Sequence, residues 1–415
     1  MTPVRRVSAL IGLVSCAAIA AAACTPEVPT ASGTATATAE RTAAATTGPP
    51  TTRPDATGSG TGEASPTPAT GWEGTVFNRP DPPASISALA TNDALVVAAG
   101  GSATEGAIWI LRPNADWERA TSVPATPEGE IISLTDVAAV DEGFAAVGVV
   151  GAPQGEPFAS VIWVSADGRR WREVRRVSGQ LLHGVAAGRP GMIAVGGDGP
   201  AVGYPNGVAI WMSSDGATWT EVTGLEPLGA SAFDDVRATE SGLLAVGQSR
   251  DDPSGADISA AVWTSPDGTT WTRVSSGPLF AASVMYAVAV GGPGFVAVGQ
   301  DYGPAGGHPV VWISADGTAW ERPSFDVAAG SLNGVAGLDG SVAAVGSIAG
   351  TDDLHPALWL SPDGTSWSSV SEVPEQGTGF LDAVVPFGDR VIAAGSIIGP
   401  GPDETRPLVI TGPLP

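Results

Sequence analysis

The feature that most constrains this chain is a nine-residue pattern, Trp-x-Ser-x-Asp-Gly-x-x-Trp, that begins at Trp163, Trp211, Trp263, Trp312 and Trp359. Each copy reads as the tip of a β-hairpin. Ala or Pro before Asp suits a type I turn, and Gly suits the left-handed residue of a three-residue loop with a G1 bulge. Asp167, Gly168, Asp215, Gly216, Asp267, Gly268, Asp316, Gly317, Asp363 and Gly364 are therefore structural turn residues. A turn closed in this way sets Val164 opposite Arg170 and Trp163 opposite Trp171, as a cross-strand indole pair.

Around these tips the chain repeats. The first Trp of each pair falls at 109, 163, 211, 263, 312 and 359, a mean period of 50 residues. Each period holds a short apolar run ending in glycine, as at 143–148, 192–196, 243–247, 295–299 and 342–346. These runs are apolar on both faces without a 3.6-residue rhythm, as strands buried between stacked sheets are. With 56 Gly, 36 Pro and 15% charged residues, the composition is that of a turn-rich β protein.

Four strands in about 50 residues predict a β-propeller blade, and residues 72–415 hold about seven such periods. The last unit stops one strand short, while Trp72 to Val76 resembles the outer strand that it lacks. The expected fold is all-β: a seven-bladed propeller of four-stranded antiparallel blades over 71–415, closed by the N-terminal strand in the last blade. In the first blade Arg112, Pro113 and Asn114 replace the turn letters.

Ser-x-Asp-Gly-x-x-Trp resembles the Asp-box of sialidase-like and BNR-repeat propellers, one residue shorter between Asp and Gly. The resemblance implies a fold element at the rim away from an active site. It also implies that a sialidase would need an arginine triad and a tyrosine nucleophile. Only Arg237 sits clearly on an inner strand, and the tyrosines are Tyr204, Tyr286 and Tyr302, so no catalytic residue is assigned.

Strands alternate in direction, so the loops between second and third strands share the opposite rim. Irregular loops on a rigid scaffold commonly carry function. The candidate ligand residues there are Asp251, Asp252, Asp301, Tyr302, His308, Asp352, Asp353, His355, Asp403 and Glu404. His308 and His355 stand four residues before the outer Trp of adjacent blades. Three readings stay open for this rim: a solvated acidic edge, a divalent-cation site, or acid/base catalysis. No recognised metal spacing, phosphate-cradling loop or other cofactor motif is present.

Residues 1–23 carry Arg5 and Arg6 and then a short Ala-rich apolar run, which reads as an export signal. The segment resembles bacterial lipoprotein signals, in which a cysteine after small residues becomes the lipidated N-terminus. Cys24 ends the apolar run and is the favoured anchor; Cys16 has the better letters before it. Residues 24–70, rich in Thr, Ala, Pro, Ser and Gly, are expected to form a disordered tether spanning roughly 40 Å.

The net charge of −24 argues against nucleic acid or bare anionic membrane as a partner. The expected function is that of an extracytoplasmic, lipid-anchored monomer whose propeller is a non-catalytic binding or scaffolding module for a glycan or protein. The alternative is a glycoside hydrolase or polysaccharide lyase. Carboxylates gathered in a central cleft would favour that enzyme; an axis lined by Ala, Val and Gly would not.

Overall fold

The computed structural model describes residues 71–415 except 78–83, 93, 102–104, 121–130, 153–154, 200–205, 251–257, 276, 303–306, 328, 351–352, 371–376 and 400–403. The export signal, Cys16, Cys24 and the tether lie outside the described residues, as do Tyr204, Asp251, Asp252, Asp352 and Asp403.

Seven antiparallel blades follow one another in chain order. Their inner strands are Ser85–Thr91, Ile131–Val140, Gln180–Gly188, Ser231–Thr239, Ser283–Gly291, Gly330–Leu338 and Gly379–Phe387. Blade 5 has three strands, and an isolated bridge between Ile313 and Glu321 stands in for its fourth. The closure is as expected: Glu73–Val76 pairs with Arg406–Pro413, setting Glu73 opposite Thr411 and Val76 opposite Leu408. Pairing the two ends within one blade completes the ring and leaves only short outer edges.

Seven hydrophobic clusters fill the seven gaps between blades. One of them joins Ile392, Ala394 and Val409 of blade 7 to Val96 and Trp109 of blade 1, so the circle is complete. Trp163, Trp263 and Trp312 are fully buried, and each such indole contributes roughly 4–6 kcal/mol of transfer free energy.

The Asp-Gly turns form as expected at the glycine, with φ of 70–78° at Gly168, Gly216, Gly268, Gly317 and Gly364. The indole register differs. Trp163 pairs with Glu173 and Trp211 with Glu221, so the loop takes in seven residues rather than three. The cause is side-chain capping: Asp215 Oδ1 accepts from the amides of Ala217 (2.8 Å) and Thr218 (2.7 Å), and Ser213 Oγ accepts from Gly216 N (2.9 Å). These bonds hold a wider turn, and the second indole folds beneath it, Trp219 Nε1 donating to Gly216 O at 3.2 Å. In three blades a phenylalanine lies between the two indoles; Phe233 is 4.5 Å from Trp263 and 5.0 Å from Trp271 between ring centroids. In blade 1, Asn114 takes the left-handed position with φ of 58°.

Candidate functional site at the propeller axis

Every inner strand carries a β-bulge, and each falls in the same place. A bulge leaves one residue outside the ladder and re-aims its side chain. The seven residues skipped by the register are Ser87, Thr135, His183, Asp234, Tyr286, Asn333 and Asp382, and all seven line one cavity of about 130 Å³ on the axis.

The glycine that ends each apolar run makes the bulge possible. At Gly196 a Cβ would lie 1.8 Å from the carbonyl oxygen of Leu181, and at Gly299 one would lie 1.9 Å from that of Val284. Gly100, Gly148, Gly247, Gly346 and Gly395 meet the matching carbonyls at 1.9–2.4 Å. The bulged strand thus presses its backbone into the space of the missing side chain, and the residue that follows turns to the axis.

Polar contacts around the cavity pin neighbouring blades together. Thr135 Oγ donates to Leu182 O at 2.9 Å, and Asp136 Oδ2 accepts from Val185 N at 2.8 Å. His183 Nδ1 meets Asp234 Oδ1 at 3.1 Å, joining blades 3 and 4. Asp235 accepts from Arg237 Nη1 (2.7 Å) and Val236 N (2.7 Å) on its own strand and from Val288 N (2.9 Å) on blade 5. Asn333 Nδ2 donates to Leu381 O and to Asp382 Oδ1, both at 3.1 Å.

Burial acts first on the carboxyl groups here. It raises the pKa of Asp136 from 3.8 to about 7, against the pull of the Arg237 charge and with a push from Asp235. Asp234 and Asp235 are raised too, by burial above all, while His183 and Arg237 respectively oppose the shift. Buried and without a hydrogen-bond partner are Asp234 Oδ2 and Asn333 Oδ1.

None of the described rim residues lines this cavity. Asp301 is ion-paired with Arg322, and Asp353 Oδ1 lies 3.0 Å from His355 Nε2. His308 sits opposite Asp301 at the start of its strand, and Glu404 is exposed. Tyr302 is the described rim residue tied to the cavity wall, through a hydroxyl contact with Tyr286. Among the described residues no group of three or more His, Cys, Asp or Glu is arranged to hold a metal ion. The axis is of mixed character: the bulged polar side chains share the wall with Ala88, Ala287, Val335 and Ala383.

No family model and no curated protein matches this chain. Solved structures do. A protein of unknown function from Dyadobacter fermentans DSM 18053 is 14% identical, with a TM-score of 0.50 over 83% of this chain and 100% of its own. The polysaccharide lyase Uly1 is 10% identical, with a TM-score of 0.48 over 79% of this chain and 90% of its own. A glycoside hydrolase is 12% identical, with a TM-score of 0.40 over 70% of this chain and 89% of its own. At such identities the first of these likenesses is one of fold, and the chain is a β-propeller.

Proposed function

We propose that this chain is a lipid-anchored extracytoplasmic protein, monomeric, whose propeller binds a glycan or protein without transforming it, and that the axial cavity seats one polar group of that ligand. The observation that carries the reading is the convergence of seven different bulged side chains on one axis. At about 130 Å³ the cavity is smaller than the ~300–1,000 Å³ of pockets that enclose whole small molecules. It suits the end group of a larger partner lying across the rim. Binding is favoured over chemistry because the groups a reaction would use are engaged in holding blades together, as Asp136 and Asp235 are by accepting from backbone amides of the next blade.

Two experiments test this reading. An array of glycans probed with the full-length chain should show selective binding that Asp234→Asn weakens; an unselective or unaltered pattern counts against the axial site. Cys24→Ser should release the protein from the membrane fraction, and continued fractionation with membranes moves the anchor to Cys16 or removes it.

A second reading, a glycoside hydrolase or polysaccharide lyase, is favoured by one observation: the His183–Asp234 pair shares the cavity with Tyr286 and Arg237, a base, an acid and a cation in one place. New reducing ends or unsaturated uronate products that vanish in His183→Ala would establish it.

A further inference from the structure

The donors and acceptors of the axial cavity do not balance. Thr135 spends its hydroxyl proton on backbone carbonyls, Asn333 spends its amide on Leu381 and Asp382, and Arg237 donates from Nη1 to Asp235 and Val236 O. Among the buried atoms of the lining residues, those without a partner are two oxygens, Asp234 Oδ2 and Asn333 Oδ1. Asp234 is 6% exposed as a residue, and its other oxygen is held by His183. A buried carboxylate oxygen with no donor is destabilising, and a ligand supplying N–H groups would recover that loss. The lining also carries four carboxyl groups, Asp136, Asp234, Asp235 and Asp382, against Arg237 and His183.

From this imbalance we infer that the axial cavity takes a primary ammonium group, as borne by an unacetylated amino sugar or an amine-bearing peptide end. Such a group offers three donors and no acceptor. It is small enough for the space, and its charge-assisted bonds to a carboxylate are the stronger kind. The inference rests on the axial cavity being the ligand site and adds the chemistry of what enters it. Asp234 Oδ2 on blade 4 and Asn333 Oδ1 on blade 6 receive the ammonium, while His183 fixes the Asp234 carboxylate in place.

The test is a calorimetric titration of the full-length chain with D-glucosamine, methylammonium, N-acetyl-D-glucosamine and D-glucose, with and without a chelator and added Ca²⁺. Glucosamine and methylammonium should bind, chelator and Ca²⁺ should make no difference, and the acetylated and neutral sugars should bind at least about tenfold more weakly. Asp234→Asn should reduce glucosamine affinity by about tenfold or more. Should that variant fail to fold, Ser87→Lys answers instead: it places an ammonium in the cavity from blade 1, and should abolish methylammonium binding while circular dichroism stays native. Equal binding of glucosamine and N-acetylglucosamine, calcium binding that displaces methylammonium, or no ammonium binding at all overturns the inference. Neutral-sugar binding that Asp234→Asn removes overturns the ammonium alone and keeps the axial site; binding untouched by both variants overturns the axial site as well.

Discussion

Gly196 faces Leu181 so closely that a single added carbon would lie 1.8 Å from the Leu181 carbonyl oxygen. That contact sits under the bulge at His183 and is met again in every blade. Gly196→Ala should therefore force the bulge out and cost about 3 kcal/mol or more. Gly207→Ala is the control: its added carbon meets nothing closer than 3.9 Å, so the change should stay within about 0.5 kcal/mol. Urea unfolding of the two variants compares them directly, and equal midpoints would remove the steric account of the bulge.

Stability should pass through a maximum on the acid side of neutrality. Asp215, Asp267, Asp316 and Asp363 are depressed to about 2, chiefly by backbone amides of the turn that donate to them. A folded pKa below the unfolded 3.8 gives stability that is present above about pH 4 and is lost as pH falls through about 2. Asp136 runs the other way, raised to about 7 by burial. The folded state holds a proton there that the unfolded state has released, so stability declines as pH rises from about 4 to about 7; the upward shifts of Asp234 and Asp235 act in the same sense. Denaturation midpoints at pH 3, 5 and 8 should be highest at pH 5, and a midpoint that rises steadily to pH 8 contradicts the buried Asp136.

The two tryptophans of a blade are not equivalent. Trp263 is fully buried against Phe233, whereas Trp271 is partly exposed beneath the turn. Trp263→Ala should cost about 3–5 kcal/mol, and Trp271→Ala distinctly less. Thermal melts followed by far-ultraviolet dichroism would reverse this order only if the outer indole carried the packing.

Glu73 and Thr411 stand directly opposite each other across the seam of the ring, where antiparallel Cα atoms lie about 4.5–5.5 Å apart. That is within disulfide reach. With Cys16 and Cys24 replaced by serine, Glu73→Cys with Thr411→Cys should oxidise spontaneously and raise the melting temperature by several degrees. Free thiols persisting under oxidant would place the two ends apart.

The architecture was readable because the same physical demand recurs in each period. Asp and Gly recur at five hairpin tips, and the strand after Trp72 supplies the outer strand that the last blade lacks. The indole register depends on how far Ser213 and Asp215 hold the turn open, which spacing alone does not reveal. The axial cavity is hidden for another reason: Ser87, Thr135, His183, Asp234, Tyr286, Asn333 and Asp382 are of six side-chain types. What they share is position. Each lies thirteen residues before the glycine that ends an apolar run, as His183 does before Gly196 and Asp382 before Gly395. The recurrent glycine is more than the end of an apolar run. It is the mark of a bulge, and counting back from it finds the cavity.

The seam also fixes how the ring bears load. Glu73–Val76 has four residues and lies outermost in its blade, with the preceding chain leaving directly from it. Tension arriving from residue 70 falls first on that short ladder, so the circle fails as a clasp does, by unfastening at one edge, while the other six blades keep every strand.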